Sequence, residues 1–224
     1  MAKNKLKKFA DNETFQNLIQ EPRADLLKNG LSLKGKWRQS YFKNENPIVL
    51  ELGCGKGEYS IALGEKFPEK NFIGVDIKGA RMWRGAKTAT DNSMENVAFL
   101  RTHIEQLDRC FDKGEVSELW ITFPDPQIKY RRRKKRLTSP FMFELYQKVL
   151  SKDATLHLKT DSEFLYGYTM GIIEGYGHQL LDSSYDIDHQ KPDDHLLKVR
   201  THYEELFRKE RKPITYLKFQ LKDV

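Results

Sequence analysis

The chain has 224 residues, of which 38% are hydrophobic and 32% charged, a length and composition that predict one full-sized globular core and exclude disordered and fibrous proteins. The formal net charge is +7, and the basic excess is concentrated in residues 1–43 and 129–136. The chain has two cysteines, no signal-peptide core and no long apolar run, which excludes a disulfide-framework protein and predicts a cytoplasmic protein that does not enter a membrane.

The predicted elements begin with a basic N-terminal extension, residues 1–46, in which we expect one short helix near Gly35–Phe42. Residues 47–224 form the main domain, where short apolar runs alternate with stretches of helical periodicity. The predicted strands are Pro47–Leu52, Asn71–Asp76, Val97–Arg101, Glu118–Phe123, Thr155–Thr160, Gln179–Asp186 and Ile214–Leu221. The predicted helices are Gly57–Phe67, Gly79–Asp91, one that begins at Ser139-Pro140, and Ser162–Glu174.

This alternation predicts an α/β fold of the Rossmann-like type. We expect a doubly wound, mostly parallel sheet of seven strands. The last two strands have no clear helix between them, so they are predicted to pair antiparallel at one edge of the sheet.

A glycine-rich segment, Glu51-Leu-Gly-Cys-Gly-Lys-Gly57, joins the first strand of this domain to its first helix. In a doubly wound sheet this turn holds the ligand, and Asp76 at the end of the next strand is placed to bind ribose hydroxyls. The glycines do not distinguish a dinucleotide from S-adenosylmethionine. Glu51 favours the second, because a carboxylate would repel a pyrophosphate and attract an ammonium and a sulfonium. The alternatives are a solvent-facing carboxylate for Glu51 and a helix N-cap for Asp76.

A second motif, Thr-Phe-Pro-Asp-Pro126, follows the strand that ends near residue 122. Its two prolines stiffen the loop and display Asp125 at the edge where a parallel sheet binds ligands. The basic run Lys129–Arg136 comes directly after it and predicts contact with phosphates, the alternative being a solvated loop. The candidate RNA-binding residues are Arg131, Arg132, Arg133, Lys134, Lys135 and Arg136.

Four motifs together resemble the bacterial tRNA (guanine-N7)-methyltransferase family over about residues 47–221. They are Glu51–Gly57, Phe123–Pro126 with Lys129 and the basic run, His157–Asp161, and Thr201–Glu204. The resemblance implies a class I S-adenosylmethionine-dependent methyltransferase that modifies N7 of the variable-loop guanine of tRNA, position 46 in standard tRNA numbering.

The resemblance also implies roles for individual residues. Asp125 is the expected catalytic residue and also contacts the cofactor. The other expected cofactor-site residues are Glu51, Gly53, Gly55, Gly57, Asp76 and His103, and the expected substrate-site residues are Lys129, Asp161, Thr201, His202, Tyr203 and Glu204. The chain departs from the family pattern at His103, where an acidic residue is usual, and at Gln127-Ile128, where Trp-Pro is common.

The chemistry of guanine explains part of this residue set. N7 has a free lone pair, so no general base is required. Asp161 and Glu204 are suitable acceptors for the N–H groups on the Watson–Crick edge of guanine. From spacing alone, Asp161 is equally explained as a helix N-cap, and Thr201 with Glu204 as a capping box.

Other residues and functions receive weaker support from the sequence. Cys54 is interpreted as a small loop residue, Trp83 and Trp120 as core, and the six histidines show no metal-binding spacing. The two alternative functions are an NAD-dependent oxidoreductase and a non-catalytic RNA-binding protein on a methyltransferase scaffold. The sequence leaves monomer and homodimer open.

Overall fold

The computed structural model describes residues 2–194, 196–199, 202–210 and 212–222. They fall into two compact units, Met1–Asp112 and Lys113–Val224. Across these ranges no helix combines the length and the apolar character that crossing a bilayer requires.

The N-terminal unit is built on four parallel strands in the spatial order β1-β4-β3-β2. Leu52 at the end of β2 is paired with Val75, so the glycine loop after β2 begins beside Asp76, the last residue of β3. The strands are β1 (Leu18–Ile19), β2 (Ile48–Leu52), β3 (Asn71–Asp76) and β4 (Val97–Arg101).

Helices connect and flank these strands. The α-helices are α1 (Ala2–Asn12), α2 (Arg23–Asn29), α3 (Glu58–Lys66), α4 (Gly79–Asp91) and α5 (Leu107–Cys110). The short helix predicted in the extension is present as a π-helical segment, Trp37–Phe42. Trp37 is fully buried in the core of this unit, and its ring stacks on Phe111 with a centroid distance of 5.3 Å.

The basic extension contains more structure than the sequence predicted, because its first helix packs on α4. Asn12 donates a hydrogen bond from Nδ2 to the Gly79 carbonyl at 3.0 Å, and Trp83 donates from Nε1 to Asp11 Oδ2 at 2.9 Å. The interpretation of Trp83 as core was therefore wrong, since it is half-buried at this helix contact. Trp120 is fully buried, as expected.

The C-terminal unit has the strand order β5-β6-β8-β7. The first pair is parallel and the other two are antiparallel, which confirms the antiparallel edge. The strands are β5 (Val116–Thr122), β6 (Leu150–Thr160), β7 (Gln179–Ser184) and β8 (Thr215–Gln220). The helices are α6 (Pro140–Gln147), α7 (Glu163–Gly175), α8 (Ile187–Gln190) and α9 (His202–Lys209).

The predicted α/β class with mostly parallel strands is confirmed. The described residues contain eight strands where seven were predicted. The additional strand is the two-residue β1, whose partner β4 lies about 80 residues further along the chain. Such a short segment carries no period-2 pattern, so its pairing is not visible in the sequence.

Candidate active site

The glycine loop between β2 and α3 is held against the end of β3 by backbone hydrogen bonds. The amides of Gly53 and Cys54 both donate to the Val75 carbonyl, at 2.8 and 3.1 Å. Asp76 closes the loop because its Oδ2 accepts from the Gly55 amide and its Oδ1 from the Lys78 amide, each at 2.9 Å. Asp76 therefore clamps the loop rather than capping α4, whose N-cap is Lys78. A carboxylate has about four lone-pair sites, so Asp76 retains acceptor capacity.

Glu51 is 5% exposed, which excludes the interpretation of a solvent-facing carboxylate. Ser60 in α3 donates two hydrogen bonds to Glu51 Oε2, from its amide at 2.9 Å and from its hydroxyl at 2.6 Å. These bonds fix the carboxylate in a defined orientation beside the loop. Ser60 was not identified from the sequence, where only its position in the first turn of α3 could have suggested a contact with a strand-end carboxylate.

The loop carries a negative electrostatic field. Burial raises the pKa of the Cys54 thiol well above its usual value, and the charges of Glu51 and Asp76 raise this pKa further. Cys54 is therefore a protonated, buried thiol, in line with its interpretation as a small loop residue. The same field favours a ligand that carries positive charge.

The three glycines of the loop serve two different purposes. All three adopt positive φ, at 75° for Gly53, 56° for Gly55 and 73° for Gly57. A Cβ at Gly53 would meet nothing within 4 Å, whereas a Cβ at Gly57 would lie 2.3 Å from Cε1 of Phe99. Gly53 thus borders open space, whereas Gly57, predicted as a cofactor contact, is required by packing against the Phe99 ring.

His103 is exposed just beyond β4 and directly precedes the short 3-10 helix Ile104–Gln106 as its N-cap residue. Its neighbour Thr102 donates from its amide to the Asp76 carbonyl at 3.1 Å. This bond places the start of the His103 segment at the same strand edge as Asp76.

In the C-terminal unit, Asp125 lies in a strained loop after β5. Phe123 and Gln127, two residues to either side of Asp125, have φ values of 47° and 46°, in the left-handed region that side chains disfavour. Asp125 Oδ1 accepts a hydrogen bond from the Gln127 amide at 3.0 Å. The loop thereby displays an exposed carboxylate with a fixed orientation.

The basic run divides into exposed and buried residues. Six of its cations are exposed, and they are Lys129, Arg131, Arg132, Arg133, Lys134 and Lys135. Arg133 lies over the ring of Tyr130, 4.2 Å from its centroid. Arg136, which was also predicted to bind RNA, is only 6% exposed, and a guanidinium packed inside the protein is poorly placed to contact a phosphate.

Asp161 follows β6 and is half-buried. Burial raises the pKa of this carboxyl, while Lys212 opposes the change. The N-cap of α7 is Ser162, whose hydroxyl accepts from the Leu165 amide at 3.2 Å, so Asp161 does not have that structural role.

Glu204 belongs to a buried ionic cluster. Its Oε2 accepts from Lys159 Nζ at 2.7 Å, and its Oε1 accepts from Nη2 of Arg208 at 2.6 Å. Lys159 is fully buried and also donates to the carbonyls of Leu197 and Val199, both at 2.9 Å. Lys159 was not identified from the sequence. Its place within the apolar end of β6 could have indicated a paired charge, because buried lysines require partners.

The remaining predicted substrate residues are less fully described. Thr201 lies outside the described residues, and His202 and Tyr203 are described only as the backbone of the first turn of α9.

The sequence matches known families over nearly its whole length. Residues 45–217 match a family model described as "Putative methyltransferase". A protein named tRNA (guanine-N(7)-)-methyltransferase from Christiangramia forsetii is 53% identical over 222 residues, which is 99% of both chains. A protein of the same name from Bacteroides fragilis is 48% identical over 99% of this chain and 87% of its own length.

Solved structures share the fold at low sequence identity. The 16S rRNA methyltransferase KamB superposes with a TM-score of 0.64 at 17% identity, covering 84% of this chain and 92% of its own. A single-residue variant of the 16S rRNA (adenine(1408)-N(1))-methyltransferase from Catenulisporales acidiphilia, solved with its cosubstrate SAM, gives a TM-score of 0.55 at 15% identity over 84% and 91% of the two chains. These likenesses support the Rossmann-like methyltransferase fold.

Proposed function

Because this chain belongs to the tRNA (guanine-N(7)-)-methyltransferase family, we propose that it transfers a methyl group from S-adenosylmethionine to N7 of the variable-loop guanine, position 46, of tRNA. The observation that carries the proposal is the acidic glycine loop, in which the buried Glu51 and the half-buried Asp76 lie close to the open space at Gly53. The enzyme is proposed to act in the cytoplasm.

The loop fits the cofactor through charge and space. S-adenosylmethionine supplies the methyl group when it is bound, and it carries the ammonium and sulfonium charges that an acidic loop attracts. Asp76 is proposed to accept hydrogen bonds from the ribose hydroxyls, and Glu51, held by Ser60, to provide negative potential. His103 is proposed to contribute at the same strand edge, where its imidazole nitrogen can accept a hydrogen bond.

Asp125 is proposed to act by its negative charge and by positioning the substrate, and not as a general base. Guanine N7 has no hydrogen to lose, so the residues need only align the acceptor and stabilise the positive charge that develops on the purine. An exposed carboxylate on a stiff loop suits both tasks, and Lys129 on the same loop is proposed to contact the substrate.

Asp161 is the carboxylate we assign to the Watson–Crick edge of guanine. Both oxygens of Glu204 accept hydrogen bonds from buried or half-buried cations, so we assign Glu204 a supporting role in this ionic cluster rather than a contact with the base. Asp161 is half-buried, and its elevated pKa reports desolvation. A desolvated carboxylate discriminates well between bases, because a base that offers no N–H donor would leave the carboxylate without a hydrogen bond.

The six exposed cations of the basic run are proposed to contact tRNA phosphates. Counterion release then gives a log–log salt slope of roughly −4 to −5 for tRNA binding. Reversing the charge of Arg131, Arg132 and Arg133 together to Glu should weaken binding by more than about tenfold and flatten this slope by roughly 2 to 3. Affinity for S-adenosylmethionine should not change.

A matched control reverses three exposed lysines at the other end of the same unit, Lys113, Lys148 and Lys152. The three lysines lie near the starts of β5 and β6, whereas Asp125 and Asp161 follow the ends of these parallel strands. The control variant therefore changes the net charge by the same amount, at the opposite edge of the sheet. Titration of labelled tRNA at several salt concentrations measures both variants. Equal losses in the two variants would show that net charge, and not the basic run, determines binding.

The proposed activity is tested by incubating the protein with an unmodified tRNA transcript and methyl-labelled S-adenosylmethionine, followed by mapping of the labelled base. We expect label at N7 of the variable-loop guanine. Binding of tRNA without transfer would support an RNA-binding protein instead. Calorimetric binding of NAD, and not of S-adenosylmethionine, would support an oxidoreductase.

A further inference from the structure

Arg136 ends the basic run but differs from the six exposed cations before it. Its guanidinium lies over the rings of Phe164 and Tyr168 in α7, 4.8 and 4.4 Å from their centroids. Burying a cation is costly unless its donors are satisfied and its flat faces are packed, and arginine allows both at once. The position therefore requires an explanation other than solubility.

The hydrogen bonds of Arg136 are directed at the loop that carries Asp125. Nε donates to the Gln127 carbonyl at 3.2 Å and Nη2 to the Ile128 carbonyl at 3.3 Å. Two donors of one rigid fork thus hold two successive peptide groups directly after the Pro-Asp-Pro motif. Its own backbone is fixed as well, because the Ser139 amide donates to the Arg136 carbonyl at 3.0 Å.

Gln127 connects this contact to the catalytic carboxylate. Its carbonyl accepts from Arg136, while its amide donates to Asp125 Oδ1 at 3.0 Å. Gln127 also holds φ at 46°, a conformation that a residue with a side chain adopts only when its surroundings enforce it. The hydrogen bonds made by the amide and by the carbonyl of Gln127 hold the backbone in this conformation.

We propose that Arg136 is a positioning residue, which holds the strained backbone at Gln127 and so sets the orientation of the Asp125 carboxylate, instead of binding tRNA. The proposal rests on the proposed function, in which Asp125 acts on the methyl acceptor. It divides the basic run into an RNA-contacting part, Lys129–Lys135, and a loop-supporting residue at its end.

The test compares Arg136→Lys and Arg136→Met with the exposed neighbour variant Lys135→Met. Arg136→Lys keeps the positive charge and loses the planar guanidinium that donates to the carbonyls of both Gln127 and Ile128. We expect both Arg136 variants to lose roughly 10- to 100-fold in single-turnover rate at saturating tRNA and cofactor, as misplacement of a reacting group does. Their tRNA dissociation constants should stay within about twofold of wild type, with unchanged salt slopes.

Lys135→Met should weaken tRNA binding and flatten its salt slope by about 0.7 to 0.9, two changes that the Arg136 variants should not show. The proposal is overturned if Arg136→Lys behaves like Lys135→Met, or if its saturated rate is normal. Should Arg136→Met fail to fold, Arg136→Lys still decides, because it keeps the charge and most of the apolar stem. A wild-type enzyme without methyl transfer would instead contradict the proposed function, so the two failures are distinguishable.

Discussion

Asp125→Ala should lower the single-turnover rate of methyl transfer by about 100-fold or more, the range seen when one preorganised electrostatic group is removed from an active site. Binding of S-adenosylmethionine should weaken much less, because Glu51 and Asp76 remain in the glycine loop. Rapid-quench measurement with labelled donor gives the rate, and calorimetry gives the cofactor affinity.

The companion variant Asp125→Asn separates charge from loop geometry. Its amide oxygen still accepts from the Gln127 amide, so the loop is expected to keep its conformation while the negative charge is lost. If charge is what accelerates transfer, Asp125→Asn should be nearly as slow as Asp125→Ala. A near-normal rate for both variants would remove Asp125 from the catalytic role.

Gly57→Ala should destabilise the fold by about 2–4 kcal/mol. Positive φ costs a non-glycine residue about 1 kcal/mol, and forcing a methyl group into a packed site typically costs about 1–3 kcal/mol. The new Cβ would lie 2.3 and 2.6 Å from two ring carbons of buried Phe99 and 3.3 Å from Cα of Gly85. Neither the ring nor the helix backbone can move aside cheaply, so urea unfolding should show a lower midpoint.

Gly53→Ala is the matched control for this prediction. Its φ of 75° is close to the 73° of Gly57, but its Cβ would meet no atom within 4 Å. The conformational cost of about 1 kcal/mol is therefore shared, and the difference between the two variants measures packing. Gly53→Ala should also weaken cofactor binding, since its methyl group would occupy the proposed ligand space. Equal unfolding midpoints for the two variants would refute the packing role of Gly57.

The main elements of the domain followed from local sequence patterns. The apolar run of β2, the helix after Gly57 and the capped start of α6 at Ser139-Pro140 all lie within one or two residues of their predicted positions. These features depend on neighbouring residues, through periodicity, capping and breakers. Among the segments that local patterns described poorly are α1 and β1, which are polar or short and are stabilised by contacts with distant residues.

The sequence by itself determined the fold class, the family, the acidic glycine loop and the basic run, because each is a property of residue types at short spacing. Only the tertiary structure decided that Arg136 is buried under α7, that Glu204 pairs with Lys159, and that Gly57 packs against Phe99. The physical reason is that burial and pairing arise between segments far apart in the chain. The sequence alone does not show whether a charged side chain will interact with water, a phosphate or a backbone carbonyl.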